Sequence, residues 1–107
     1  MTQAQANLTT AERYIALFNG PKTPLADFRA LLALEVVYRE MPNVLWREGS
    51  VRNRGEMHAG VEQGRKLLSS QRYTIFNAIA QGDQVALGVV WTGTLAVGFG
   101  ALKQTPN

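Results

Sequence analysis

Apolar residues near the start of the chain recur every three or four positions, which is the spacing of one face of an α-helix. Thr9 to Glu12 has the form of a capping box, in which a threonine hydroxyl and a glutamate bind amides at a helix start. Asn19, Gly20 and Pro21 end the pattern, because glycine suits the left-handed C-cap and proline cannot continue a helix. The pattern predicts a first helix with a buried face of Ala11, Tyr14, Ile15 and Phe18.

A second helix and a strand are predicted to follow. Thr23 has the residue type of an N-cap, and Pro24 suits the first helical position because its missing amide needs no partner there. The buried face of this helix is predicted to comprise Leu25, Phe28, Leu31 and Leu32. The segment Glu35–Met41 is β-branched and aromatic and is ended by Pro42, which predicts a strand. In period two, one face of that strand holds Val36, Tyr38 and Glu40.

The middle of the chain predicts a loop and a third helix. The loop covers Asn43–Arg52 and contains Trp46. Asn53 followed by Glu56 is a second capping pattern, and it predicts a helix that continues to about Ser69. The apolar stripe of this helix is predicted to comprise Met57, Val61, Gly64 and Leu68.

The residues after the third helix have the sequence pattern of β-strands. One strand is predicted over Arg72–Ala80 and another from Val85 to about Val97, joined by a hairpin turn at Gln81–Gln84. Helices that precede an antiparallel hairpin indicate an α+β fold and not a doubly wound parallel sheet.

Length and composition limit the classes of function. At 107 residues and 11.8 kDa the chain has the size of one domain, with flexible ends expected at 1–8 and 103–107. It has no cysteine and a single histidine, His58, which excludes disulfides, thiolate metal sites and multi-histidine zinc sites. Neither a metal nor a cofactor is expected. A polar start and the lack of a long apolar run predict a cytoplasmic protein that does not contact membranes.

The charge is moderately basic. The net charge is +3 and the pI is about 9.7. The densest basic cluster comprises Arg47, Arg52 and Arg54, but it is interrupted by Glu48 and followed by Glu56. A nucleic-acid surface would need a continuous basic face, and this mixture is more typical of a solvated loop.

Four phrases of the sequence, in this order, resemble the NTF2-like superfamily. Glu12–Gly20 and Leu31–Pro42 are similar to the first helix and first strand of its ketosteroid isomerase branch. Gln81–Leu87 and Trp91–Thr94 resemble the central hairpin of its SnoaL-like proteins. The resemblance implies a curved antiparallel sheet that forms a cone around a pocket, with three helices from the first part of the chain packed on it. It also implies a small hydrophobic ligand and a homodimer formed through the sheet.

The resemblance implies two catalytic residues. Tyr14 matches the tyrosine that stabilises an oxyanion, a role that needs a buried and well-aimed phenol. Glu40 matches the general-base aspartate, and a carboxylate inside an apolar cone is suited to moving protons at neutral pH. Each has an alternative: Tyr14 as packing in the helix stripe, and Glu40 as a rim residue paired with Arg39 or Arg47.

The resemblance also implies which residues line the pocket, and one catalytic group of the family is missing. We expect it to be lined by Phe18, Phe28, Leu32, Val36, Tyr38, Trp46, Met57, Val61 and Phe76. We also expect Tyr14 and most of these side chains to be largely buried. The family's second oxyanion donor, an aspartate, lies on a strand after the central hairpin, and Leu95–Asn107 contains no acidic residue. Ketosteroid isomerisation itself is therefore disfavoured.

Three hypotheses of function remain from the sequence. The first is an isomerase or cyclase that moves protons on a small hydrophobic carbonyl compound. The second is a non-catalytic NTF2-like binding or dimerisation module, and the third is a nucleic-acid binder. Both faces of the strand from Val85 are apolar, and the relatives continue through two further strands, so we expect a homodimer to cover the sheet, with Phe99–Asn107 reaching across.

Overall fold

The fold is α+β, as the sequence predicts. The computed structural model describes residues 1–20, 23–44 and 46–96. Val97, the arm Phe99–Asn107 and the expected flexible end at 103–107 lie outside the described residues. Within them the elements are α1 (Gln3–Leu17), α2 (Leu25–Ala30), β1 (Tyr38–Glu40), β2 (Ser50–Arg52), α3 (Arg54–Leu67), β3 (Leu68–Gln81) and β4 (Gln84–Leu95). None of the helices in these ranges is both long and apolar enough to cross a membrane.

The first helix begins earlier than the sequence pattern predicts. Its N-cap is Thr2, whose hydroxyl accepts from the Gln5 amide at 3.1 Å, while the Gln5 side chain accepts from the Thr2 amide at 2.8 Å. Thr9 and Thr10 lie inside the helix, where their hydroxyls donate to the carbonyls one turn before, of Gln5 and Ala6. A mid-helix threonine can satisfy its hydroxyl in this way, so the cap predicted at Thr9 is wrong.

The second helix is short, and its cap also differs from the prediction. Pro24 occupies the N-cap position of α2 and makes no side-chain capping bond. Thr23, which was the predicted cap, donates its hydroxyl backwards to the carbonyls of Leu17 at 2.9 Å and Gly20 at 3.2 Å. Thr23 therefore satisfies carbonyls at the end of α1 and does not start α2.

The strand predicted over Glu35–Met41 is limited to the three residues of β1. Its partner β2 lies within the predicted loop, so this antiparallel ribbon is a correction to the sequence interpretation. The register pairs Tyr38 with Arg52, Arg39 with Val51, and Glu40 with Ser50.

The third helix and the long hairpin agree with the sequence. The Asn53 side chain accepts from the Glu56 amide at 2.8 Å and the Glu56 carboxylate accepts from the Asn53 amide at 2.9 Å, which confirms the predicted capping box. β3 and β4 pair through the predicted turn, where Gly82 has a φ of 58°. β3 begins directly after α3, earlier than expected.

The described residues belong to two compact units. Of these residues, the first unit holds those within Met1–Thr23 and Gln71–Thr92, and the second holds those within Pro24–Ser70 and 93–96. In the first unit α1 lies along the hairpin, because the Asn19 amide donates to the Tyr73 carbonyl at 2.9 Å while its oxygen accepts from the Tyr73 amide at 2.7 Å. The Phe18 ring lies 5.1 Å from the Tyr73 ring and 5.4 Å from that of Tyr14.

We expect Asn19→Ala to lower the free energy of unfolding by about 1–2 kcal/mol. The Asn19 side chain makes two short bonds to the backbone of β3, and each such bond contributes roughly 0.5–1.5 kcal/mol. The control is Asn7→Ala, because the amide of Asn7 makes a single long bond of 3.4 Å to the Gly82 carbonyl. Urea unfolding measures both variants, and equal effects would contradict this account of how α1 is fastened.

The alternation of exposed and half-buried residues in β3 shifts by one residue in the middle of the strand. Tyr73 and Ile75 are half-buried, as are Ala78 and Ala80, whereas Phe76 and Asn77 are both exposed. A one-residue change of phase is what an extra residue in a strand produces. The prediction that Phe76 is buried is therefore wrong.

Phe76 instead covers a glycine of the neighbouring strand. Its side chain is 68% exposed, and a Cβ placed on Gly88 would lie 2.7 Å from two of its ring carbons. The ring thus lies across the backbone of β4 at Gly88, where no side chain separates them. Phe76, Ile79 and Val90 leave this part of the hairpin with an exposed apolar surface.

The second unit contains the buried residues of the described chain. Phe28 of α2 is 2% exposed and Met57 of α3 is 9% exposed, and these two helices pack on one another. The Arg65 guanidinium lies over the Phe28 ring, 5.6 Å from its centroid. The predicted stripe of α3 is confirmed for Val61 and Gly64, which are half-buried, whereas Leu68, also half-buried, is the first residue of β3. β2 packs against the same helix.

Candidate functional site

The β1–β2 ribbon turns its polar residues inward. Glu40, Ser50 and Arg52 lie on one face and are half-buried, whereas Arg39 and Val51, on the other face, are exposed. This is the reverse of the usual arrangement, in which a strand directs apolar side chains towards the body of the protein. Departures from such rules concentrate at functional sites.

The inward face is the one directed towards α3. A Cβ placed on Gly60 of that helix would lie 2.7 Å from Nη1 of Arg52, so the guanidinium rests against the helix backbone. Arg52 is paired across the ladder with Tyr38, and Ser50 with Glu40, so all four side chains belong to this face. We call these four residues the polar face.

The carboxylate of Glu40 is held by neutral groups. The Asn43 amide donates to Oε2 at 3.0 Å, and Ser50 Oγ lies 3.5 Å from Oε1. Among the described residues Glu40 forms no ion pair with Arg39 or Arg47, the two partners that the rim alternative requires. Glu40 is therefore a half-buried acid that is oriented without a neutralising cation.

Asn43 also shapes the turn between the two strands. Its amide donates to the Met41 carbonyl at 2.9 Å, its side-chain oxygen accepts from the Trp46 amide at 3.1 Å, and its own backbone amide donates to the Trp46 carbonyl at 2.9 Å. That carbonyl also accepts from the Gly49 amide at 2.9 Å. Gly49 has a φ of 71°, which lets the chain return to β2 beside the carbonyl of Glu40.

The phenol of Tyr38 is a weaker acid than a free tyrosine. Partial burial raises the pKa of Tyr38 above its ordinary value of 10.0, the charge of Glu40 raises it further, and the charge of Arg52 lowers it. A protonated phenol next to an ionised carboxylate can donate a hydrogen bond to an oxyanion.

We expect the two charged neighbours to move the pKa of Tyr38 in opposite directions. Glu40→Gln removes a negative charge and lowers that pKa, whereas Arg52→Gln removes a positive charge and raises it. Alkaline difference absorbance, with Tyr38→Phe to assign the signal, measures both shifts. The pKa of Tyr38 is higher in the folded protein than in the unfolded chain. The stabilisation that follows from this difference is therefore complete below the unfolded-state pKa of about 10 and is lost as the pH rises through the folded-state pKa. Shifts of the same sign would contradict the geometry of the polar face.

Arg52 is placed between an aromatic ring and a helix. Its Cζ lies 5.3 Å from the centroid of the Trp46 ring, and Trp46 is 40% exposed. The structure gives the Arg52 guanidinium no hydrogen-bond acceptor and no carboxylate partner among the described residues. Its nitrogen atoms nevertheless keep access to solvent, since within the described residues the buried side-chain nitrogen without a partner is His58 Nδ1.

The other predicted site residues are distributed over both units. Tyr14, Phe18 and Phe76 belong to the first unit, and Glu40 belongs to the second. Within the second unit Leu32, Val36 and Val61 are half-buried, Phe28 and Met57 are buried, and Tyr38 and Trp46 are exposed. The pairing of Tyr14 with Glu40 stays a prediction. His58 makes the predicted contact with Glu62, with Nε2 3.3 Å from Oε1.

Sequence reasoning did not identify three residues of the site: Asn43, Ser50 and Arg52. All three lay in the segment interpreted as a loop. The available signal was the alternation of Ser50, Val51 and Arg52 directly after a glycine, which is a short strand after a turn. The partners across the ladder depend on register, which that signal does not supply.

No protein-family model matches this chain, and no curated protein matches it in sequence. The function must therefore be argued from the residues themselves.

Proposed function

We propose that this chain is a SnoaL-like, NTF2-like protein that binds a small hydrophobic carbonyl compound and moves a proton on it, as an isomerase or cyclase does. The observation that carries the proposal is the half-buried carboxylate of Glu40, which is oriented by Asn43 and faced by Ser50 without a cationic partner among the described residues. A fixed carboxylate that is not neutralised can accept a proton from carbon. The phrases that resemble the family support the same assignment.

Glu40 would act first as the base and then as the acid. Its free lone pairs take the proton α to the carbonyl, and the same carboxyl returns a proton to carbon, so that no net charge is transferred. The phenol of Tyr38 lies on the same ribbon face and would donate to the enolate oxygen. Tyr14 belongs to the other unit, and its part in the reaction is the one that the resemblance implies.

We expect the protein to catalyse exchange of the α-protons of a small aryl ketone such as β-tetralone in heavy water. Glu40→Gln keeps the shape of the side chain and removes the base, so the exchange rate should fall at least about 100-fold. The matched control is Glu48→Gln, which removes an exposed carboxylate from the following turn. Proton NMR of the ketone follows the reaction directly.

Two results would overturn the proposal. Exchange that is no faster than in buffer, with the ketone bound, would leave a binding protein that does not catalyse proton transfer. Exchange that persists in Glu40→Gln would assign the base to another residue.

A second candidate function is a non-catalytic dimerisation module, and the exposed apolar surface of the hairpin favours it. Phe76, Ile79 and Val90 are each more than half exposed, and such side chains on a sheet are usually covered by a partner. A homodimer would be expected to bury at least about 1,000 Å² in total. Light scattering at micromolar concentration tests it, with Phe76→Ser as the disrupting variant; a monomer would remove this candidate.

A further inference from the structure

The guanidinium of Arg52 has donors but no protein acceptor. Arginine carries five N–H donors in a planar fork that matches a carboxylate. Donors that the protein does not bond, but that solvent can reach, are available to a ligand. Here the described residues place an aromatic ring and the backbone at Gly60 next to the guanidinium, and neither accepts those hydrogen bonds.

These two contacts fix the guanidinium before any ligand arrives. The Trp46 ring and Gly60 restrict its movement, and its nitrogen atoms remain accessible to solvent. A pre-positioned cation loses little conformational freedom on binding, which favours affinity. The exposed part of Trp46 provides an adjoining flat apolar surface.

We propose that Arg52 and Trp46 bind an apolar carboxylic acid, with the carboxylate on the guanidinium and the planar body against the indole ring. This inference names the substrate class of the same site, and its catalytic meaning rests on the proposed function.

The position of Glu40 gives the acid an orientation. Glu40 and Arg52 are diagonal neighbours across the ladder, a relation that separates residues by about 7–8 Å. A carboxylate held on Arg52 therefore directs carbon atoms near its own carboxyl group towards Glu40, while repulsion between the two carboxylates keeps the bound group at Arg52. The substrate class is then an acid whose reactive C–H lies close to its carboxylate, such as an aryl keto acid.

The test compares naphthoate with its neutral analogue naphthamide by isothermal titration calorimetry. Wild-type protein should bind naphthoate at least about tenfold more tightly, because hydrogen bonds to a charged group are the stronger ones. Arg52→Gln should remove that preference and leave naphthamide binding unchanged, and Arg52→Lys should retain part of it. Arg47→Gln, which lowers the net charge equally at an exposed position, should have no effect.

The outcomes separate this inference from the proposed function. Equal affinity of wild-type protein for the two probes, or a preference that survives Arg52→Gln in a variant with an unchanged circular dichroism spectrum, overturns the Arg52 site even if ketone exchange depends on Glu40. Binding of naphthoate that depends on Arg52, without exchange of the ketone, supports the site and overturns the proton-transfer function. Glu40→Gln should tighten naphthoate binding, because it removes the repulsion between the two carboxylates.

Discussion

Phe28→Ala is expected to lower the free energy of unfolding by about 3–5 kcal/mol, the range measured for deleting a buried aromatic side chain. Phe28 is 2% exposed and lies where α2 packs on α3, with the Arg65 guanidinium over its ring. The substitution removes apolar area from the interior and leaves a cavity. We expect the six-residue helix α2 to shift too little to close that cavity. Since domains are stable by only about 5–15 kcal/mol, this loss is a large fraction of the total stability.

The control for Phe28 is another phenylalanine. Phe76→Ala removes the same atoms from a side chain that is 68% exposed, so its expected effect is below about 1 kcal/mol. Urea unfolding followed by circular dichroism measures both. Comparable losses from the two variants would show that the second unit does not have its core at Phe28.

Gly49→Ala is expected to have the second largest effect, about 3 kcal/mol. A side chain at a φ of 71° costs about 1–2 kcal/mol, and the new Cβ would overlap the carbonyl oxygen of Glu40 and lie 3.1 Å from the nitrogen of Pro42. Those are backbone atoms of the same turn, so relief requires the ribbon to shift, at a further cost of about 1–3 kcal/mol.

Gly82→Ala isolates the two contributions. Gly82 has a φ of 58° and no atom within 4 Å of a Cβ placed there, so its substitution introduces the conformational cost alone, about 1–2 kcal/mol. The difference between the two variants in thermal or urea unfolding measures the overlap at Gly49. If Gly49→Ala is no worse than Gly82→Ala, the turn is looser than described. Gly49→Ala should also slow ketone exchange, because it displaces Glu40.

The parts of the fold that could be predicted from sequence are those fixed by neighbouring residues. The Asn53–Glu56 capping box and the Gln81–Gln84 turn satisfy their hydrogen bonds within a few positions, and both are confirmed. The start of α1 could not be placed, because threonines at Thr9 and Thr10 satisfy their hydroxyls equally well inside a helix.

The site could be predicted only in part, because its residues come from two strands that are separated along the chain. Glu40 was identified from the resemblance, and its partner Ser50 and neighbour Arg52 come from a three-residue strand that exists only because β1 pairs with it. A strand this short has little periodicity of its own. The role proposed for Arg52 depends on the lack of a hydrogen-bond acceptor for its guanidinium among the described residues. A pattern of residue types does not show that lack.

The phase change in β3 has a consequence for how the length of this chain can vary. Phe76 and Asn77 both face outward, so the strand holds one residue more than strict alternation requires. Loss of Asn77 alone would leave Ile75 and Ala78 facing inward and restore the alternation from Gln71 to Gln81, whereas a deletion elsewhere in that stretch would turn one half over. Descendants of this sequence can therefore gain or lose a residue at that point while the rest of the hairpin keeps its sides, and insertions and deletions in related chains are expected to accumulate there.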